Sequence, residues 1–501
     1  MEVHGETKRT EGASLRKKRG VPECYTCARS DTKGMSMTAE ELPNGFTGFS
    51  RRKPSGFVPA SSAIGAPRYV GGQPPAVGKS AFEATSAAFG GGAQGAFQYA
   101  RDHARSETGD MQFDPEKLRM IPATDRRWSW TEIDLNAVRH NAQAVKQRVG
   151  AGVRLMAVVK ADAYGHGAVR CAKTALNSGA EYLGVATVDE AVELREALVN
   201  APILVLSEPP ISAIPLLLAY KVMPSVYTPE FAIRYAETAD AYGVRAPYHL
   251  AVNTGMNRIG VRHDEVVEFL GQVSFHRALD LVGTFTHFAT ADSVETLDFQ
   301  IQTKRFIEAI AAMRAAGVDP GIVHAANTAA AIRYPDVHFD MVRLGVGLYG
   351  MHPSQVTRPM IDLRPVMSVH ARITDVRTVP MSEGVSYGMN YRSPGSVKVC
   401  TVPVGYADGL RRGLSGRTDV IMQGQRCRQV GNICMDQCMF EVDLRVYGNR
   451  RRLDPQIGDE VLLVGREGDC VITLDDMANV LGTINYEVAC GFGLRMPKVY
   501  V

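Results

Sequence analysis

Leu155-Met156-Ala157-Val158-Val159 delivers one lysine to its end and continues as Lys160-Ala161-Asp162-Ala163-Tyr164-Gly165-His166-Gly167. The uncharged run reads as a strand buried on both faces, the pattern of a parallel sheet. Lysine resists burial unless it is paired or chemically employed, so Lys160 on the lip of such a strand has two readings. Either it forms a Schiff base with a carbonyl compound, or its ammonium simply reaches solvent past the strand end.

Similar apolar runs recur at 182–186, 203–206, 222–226, 248–252, 281–286, 322–324 and 341–344, which with 155–159 makes eight. Helical patterns lie between them, for example at 188–198, 230–241, 264–273 and 294–316. Eight alternations predict an α/β fold, an eight-stranded parallel (β/α)8 barrel of the TIM type over 126–365. The count matches closure and leaves no edge strand. Pro209, Pro210 and Pro224 crowd the third and fourth strands. Ahead of the barrel come an alternating strand at 128–135, free to pack with whatever follows the barrel, and an amphipathic helix at 136–149.

Beyond 363 the helices give way to short strands at 366–379, 396–404, 419–422 and 460–464, separated by Gly, Asp and Pro turns. They predict a mostly antiparallel β domain over 366–501. One helix is expected at 473–481, where Asp475 and Asp476 suit the first turn. Residues 1–125 differ in texture. Clusters such as Gly71-Gly72-Gln73-Pro74-Pro75 and Gly90-Gly91-Gly92 predict a low-complexity, disordered extension, too poor in apolar surface to offset the entropy of ordering.

In the 501-residue chain 56 Lys+Arg nearly balance 53 Asp+Glu, and no extended basic face beyond the N-terminus suggests nucleic acid. No apolar run is long enough to span a bilayer, and the N-terminus lacks the apolar core of a secretory signal. The expectation is a cytoplasmic protein with a small-molecule partner and no membrane association. Nine cysteines, odd in number and irregularly spaced, predict reduced thiols. Cys24 and Cys27 lack the second pair that a zinc site needs, so no metal is expected.

Barrel enzymes build their sites from the loops at the carboxyl ends of the strands. Here those loops carry Lys160 and Tyr164 after the first strand, Arg258 after the fifth, His287 after the sixth and Thr328 after the seventh. Arg343, Gly345 and Val346 stand at the eighth. A strand-end lysine, a hydroxyl and glycine amides suited to a phosphate, and several arginines together point to a phosphorylated aldehyde held covalently. Pyridoxal 5′-phosphate fits.

Further motifs follow in order: Asn253-Thr254-Gly255-Met256-Asn257-Arg258-Ile259-Gly260, Thr286-His287-Phe288-Ala289, Val385-Ser386-Tyr387-Gly388, Gly405-Tyr406-Ala407-Asp408-Gly409, Ile433-Cys434-Met435-Asp436-Gln437 and Ile484-Asn485-Tyr486-Glu487-Val488. With 158–167 they resemble the alanine racemases, from about Trp128 to the C-terminus. The resemblance implies an isomerase that interconverts L- and D-alanine and supplies D-alanine for cell-wall peptidoglycan. It implies that Lys160 holds pyridoxal phosphate and is one catalytic base, and that Tyr387 is the other. Tyr387 would come from the partner subunit of a homodimer with shared active sites. Tyr164, Thr328, Gly345, Val346 and Tyr486 would contact the phosphate. Arg343, joined to His287, would face the pyridine nitrogen, and Arg258 and Met435 the substrate carboxylate.

Racemisation removes a proton from one face of a planar intermediate and returns one to the other, so two bases must flank that plane. Arg343 does not readily give up its proton, which leaves the ring nitrogen unprotonated and disfavours transamination. Three positions depart from the family pattern. Ala251 replaces a lysine that, carbamylated, orients the substrate-binding arginine, a task left to Asn257 or a bound anion. Thr328 replaces a serine, and Asn432 stands where an arginine often lines the substrate entrance. The competing readings are a serine or broad-specificity racemase of the same fold, a non-catalytic pyridoxal-phosphate carrier, and a metal-dependent D-amino-acid aldolase, for which no ligand spacing exists.

Overall fold

The computed structural model describes residues 122–443 and 452–501. Expectations for the extension up to 121, the Cys24/Cys27 pair included, lie outside the described residues. Eight parallel strands form the barrel path of the first sheet, Arg154–Val158, Tyr182–Val185, Ile203–Val205, Met223–Val226, Ala246–Asn253, Leu279–Phe285, Ile322–His324 and Met341–Leu344, and the short Val261–Arg262 pairs with the fifth as a ninth. Each of the eight falls where an apolar run predicts it. Ladders join them in sequence order, and the eighth strand returns to the first through Met341↔Arg154 to Leu344↔Ala157.

The barrel is nearly closed. Its seventh and eighth strands are not ladder neighbours. They are joined instead by the Asp340 N–H to Val323 O at 3.0 Å, the Val323 N–H to Asp340 Oδ2 at 2.7 Å, and the Arg343 N–H to Ala326 O at 2.9 Å. The third and fourth strands meet over only Leu204↔Met223 and Val205↔Pro224, because Pro224 has no N–H to give. Glu208 stitches the loops just beyond, accepting the Thr228 N–H at 2.6 Å and the Thr228 hydroxyl at 2.8 Å.

Helices begin where side chains satisfy otherwise orphaned amides. Asp134 accepts from Asn136 and Ala137 ahead of Leu135–Val149, and Thr187 with Glu190 forms a capping box at Val188–Glu196. Thr228 precedes Pro229 at the start of Pro229–Tyr242, and Thr473 with Asp476 opens Leu474–Leu481.

The antiparallel sheet takes in the first strand of the described chain. Ser129–Ile133 lies between Met367–Arg372, antiparallel to it, and Lys498–Tyr500, parallel to it. The single strand expected over 366–379 breaks at Ile373-Thr374 into Met367–Arg372 and Asp375–Val379. The two halves bind different neighbours, Glu460–Glu467 and Val397–Val402, so the chain has to turn between them. One continuous apolar core runs from Ile133 through the barrel to Phe492 and Met496.

Asn141, fully buried on Leu135–Val149, pins the segment that leaves the barrel. Its amide donates to Leu348 O at 3.1 Å and Arg364 O at 2.9 Å, and its carbonyl accepts the Arg364 N–H at 2.8 Å. The backbone is equally close at Gly350, φ 76, where a Cβ would lie 1.8 Å from Arg364 O. Asn141→Ala removes the partner of three backbone groups, at about 1 kcal/mol each. Urea titration is expected to show a loss of about 3 kcal/mol with an unchanged slope.

Candidate active site

At the end of the first barrel strand the backbone does something unusual. Ala161, Asp162, Ala163 and Tyr164 have φ of 53, 50, 55 and 55, a left-handed turn built without glycine. Such torsions cost L-residues about 1–2 kcal/mol each, so the surroundings must enforce them. One oxygen of Glu190 accepts the Ala161 N–H at 2.7 Å while the other accepts the Ala186 N–H at 2.7 Å. Asp162 accepts the Ala168 N–H at 2.8 Å and pairs with Lys498 at 2.9 Å. The buried His166 Nδ1 sits 3.0 Å from Ala163 O and 2.9 Å from Tyr164 O and donates to them. A Cβ on Gly165 would lie 2.7 Å from Ala489 O, so glycine lets the turn seat against the helix Asn485–Gly491.

The turn brings Lys160 and Tyr164 to a cavity of about 860 Å³. Nine of the eleven site residues expected from sequence line it: Lys160, Tyr164, Arg258, His287, Thr328, Arg343, Gly345, Val346 and Tyr486. Tyr387 and Met435 do not. Tyr387 is 73% exposed and Met435 53% exposed, both on loops of the antiparallel domain. Glu190, Asp162, His166 and Lys498 were absent from the expected site. Asp162 and His166 lie within the 158–167 motif, Glu190 was signalled only by the Thr187-x-x-Glu190 capping spacing, and nothing in the sequence pointed to Lys498.

Arg343, 3% exposed, sits against the cavity at the barrel seam. Its guanidinium donates to Thr286 O at 2.8 Å, Ala325 O at 3.0 Å and His324 O at 3.3 Å. It also reaches His324 Nδ1 at 3.0 Å and His287 Nδ1 at 3.2 Å. Arginine only donates, so both imidazoles accept at Nδ1 and carry their proton on Nε2. His324 Nε2 then donates to His249 Nδ1 at 2.9 Å. Burial first, then the Arg343 charge, holds His287 and His324 well below the usual histidine range and His249 at about 3. Burial, then Arg258, pulls Arg343 itself down to about 9, still protonated at neutral pH.

Lys160 is likewise pulled below the usual lysine range, first by burial and then by Arg258. Among the described residues no carboxylate pairs with Arg258. Ala251, 2% exposed, presents only a methyl to the cavity. The Asn257 side-chain oxygen accepts from Asn253 at 3.0 Å.

This donor set fits pyridoxal phosphate. Lys160 offers the amine for an aldehyde. The Tyr164 and Thr328 hydroxyls flank a backbone at Gly345, where a Cβ would lie 2.9 Å from the Tyr164 oxygen. Thr328 Oγ1 accepts the Gly345 N–H at 3.0 Å, leaving its own proton for an anion. Arg343 supplies a donor that keeps its proton.

Residues 133–353 match the family described as alanine racemase, N-terminal domain, and 366–500 the alanine racemase C-terminal domain. An alanine racemase of Synechocystis sp. is 43% identical over 380 residues, covering 75% of this chain and 100% of that protein. One from Desulfovibrio desulfuricans is 43% identical over 372 residues, 74% and 98% of the respective chains. The crystal structure of an alanine racemase from Bacillus anthracis with bound L-Ala-P superposes with a TM-score of 0.70 at 37% identity. That match covers 75% of this chain and 95% of that one.

His166, held at about 4 mainly by burial, joins His249, His287 and His324 as imidazoles that stay neutral in the fold. Unfolded, each titrates near 6.5. Protons therefore bind the unfolded chain preferentially as pH drops below about 6.5, and stability falls by up to about 1.4 kcal/mol per pH unit per histidine. Urea titrations between pH 7 and 5 are expected to show an uptake approaching four protons on unfolding.

Proposed function

The chain belongs to the alanine racemase family, and on that premise we propose that it interconverts L- and D-alanine with Lys160 and Tyr387 as opposed bases. Tyr387 would reach the cavity from the partner subunit of a homodimer. The division of the site carries this reading: nine residues gather on one cavity, while Tyr387 lies outside it and 73% exposed. A base has to come within hydrogen-bond reach of the proton it moves, and a second copy is the source that completes the arrangement.

Pyridoxal 5′-phosphate, held at Lys160, would supply an electron-withdrawing ring that acidifies the α carbon of an attached amino acid. Tyr164, Thr328, Gly345, Val346 and Tyr486 would orient its phosphate, and Arg343 its ring nitrogen. Arg258, with Met435 of the partner subunit, would bind the substrate carboxylate. Burial and the Arg258 charge favour the neutral, proton-accepting amine of Lys160. Lys160 moves the α proton on one face and Tyr387 on the other. His287, with Nδ1 engaged by Arg343, keeps its Nε2 proton for the phenol oxygen. The product would serve peptidoglycan synthesis in the cytoplasm. No helix among the described residues is long and apolar enough to cross a membrane.

Tyr387→Phe is expected to retain the cofactor's absorbance and lose about 10²–10⁴-fold in racemisation. A non-catalytic carrier would be unaffected. Lys160→Ala loses both. Refolded together, the two inactive variants should regain activity, because a mixed dimer contains one intact site; if they stay inactive, the site is not shared. A panel of L-amino acids tests the substrate, and serine outrunning alanine in kcat/KM would sink the alanine assignment.

A further inference from the structure

The loop that carries Tyr387 is more tightly specified than an exposed loop requires. Ser386 adopts φ 68 and ψ −179, torsions nearly reserved for glycine, and Gly388 at φ 74 and Met389 at φ 44 follow. The 431–434 loop is locked against this turn. The Ser386 hydroxyl donates to the Asn432 carbonyl at 2.6 Å and lies 3.5 Å from Cys434 Sγ. The Asn432 side-chain amide donates back to the Tyr387 carbonyl at 2.7 Å. Gly431 permits the approach, since a Cβ there would sit 2.6 Å from Val385 O and 2.7 Å from Ser386 Cβ. The hydrogen bonds thus grip the backbone on both sides of the Tyr387 Cα while leaving the phenol free.

We propose that Ser386 and Asn432 are positioning residues for the second base. Their reciprocal hydrogen bonds hold the turn in its strained conformation and so aim the Tyr387 phenol. This rests on the reading of Tyr387 as that base. Asn432 occupies the place where the family resemblance leads one to expect an arginine at the substrate entrance. In this chain its short amide is spent on the Tyr387 backbone. The same loop runs on into Met435, so one clamp sets two exposed residues relative to each other.

The consequence is chemically specific. Misplacing a reacting group by about 1 Å can cost about 10²-fold in rate, yet a loosened Tyr387 turn leaves the Lys160 face intact. On one alanine enantiomer Lys160 still breaks the Cα–H bond. In D₂O the lysine amine exchanges its proton for a deuteron and returns it to the same face, forming Cα–D without inversion. Exchange then outruns racemisation for that enantiomer, whereas a general loss of folded enzyme lowers both in proportion.

The test uses the holoenzyme in D₂O, following deuterium in unconverted alanine by mass spectrometry and inversion by chiral separation. Asn432→Leu removes the amide donor at similar size, and Ser386→Ala removes the hydroxyl. Both should keep the cofactor's absorbance, lose about 10-fold or more in racemisation, and raise the exchange-to-inversion ratio several-fold for one enantiomer only. Ser386→Gly lacks the hydroxyl but accepts the torsion without strain and should fall between wild type and Ser386→Ala. A ratio that stays at the wild-type value in both Asn432→Leu and Ser386→Ala overturns the clamp. Tyr387→Phe separates the two levels: if it raises the ratio and the clamp variants do not, only the clamp fails. If Tyr387→Phe still racemises normally, the assignment of the base fails and takes the clamp with it.

Discussion

A guanidinium buried in a barrel must remain charged and must find an acceptor for nearly every N–H, and Arg343 imposes that demand on its whole neighbourhood. It takes the carbonyls of Thr286, His324 and Ala325 at the seam where the seventh and eighth strands lack a ladder. In doing so it adds to the backbone bonds that already join those two strands. The same group fixes the tautomers of His287 and His324, and through His324 that of His249, and helps keep all three neutral. Taking it away would leave the Thr286 and Ala325 carbonyls and two imidazole Nδ1 atoms without this donor, while His324 O would keep the Thr286 N–H.

The cavity above inherits a bias of charge. Lys160, Arg258 and Arg343 line it against Asp292 and Glu487. The absence of a side-chain amine or carbamate at Ala251 leaves Arg258 acting through its field, which depresses the proton affinity of Lys160, His287 and Arg343 alike. A site so arranged favours ligands that bring their own negative charge, a phosphate and a carboxylate being the plain examples.

The strands were legible because a strand covered on both faces leaves a run of uncharged residues, and all eight runs are strands. The residues at their ends were legible for the same reason: a charged or hydroxylic side chain straight after such a run has few explanations. The left-handed turn after Lys160 was not, since Ala161 and Ala163 disfavour those torsions and Asp162 alone announces them only weakly. It depends on Glu190, His166 and Lys498, the last more than three hundred positions away from Asp162 in sequence. The split of 366–379 was hidden likewise, because only the identity of the neighbouring strands forces a turn at Ile373-Thr374. Tyr387 could be picked out by its motif, and the resemblance already implied a place outside the chain's own cavity.

Tyr387, Met389 and Met435 are each more than half exposed, on two loops fastened together by the Ser386 and Asn432 hydrogen bonds. That rigidity prevents the loops from folding inward to hide an aromatic ring and two thioethers. A newly synthesised chain therefore presents the patch to the cell as a fixed feature, of the kind that chaperones and proteases recognise.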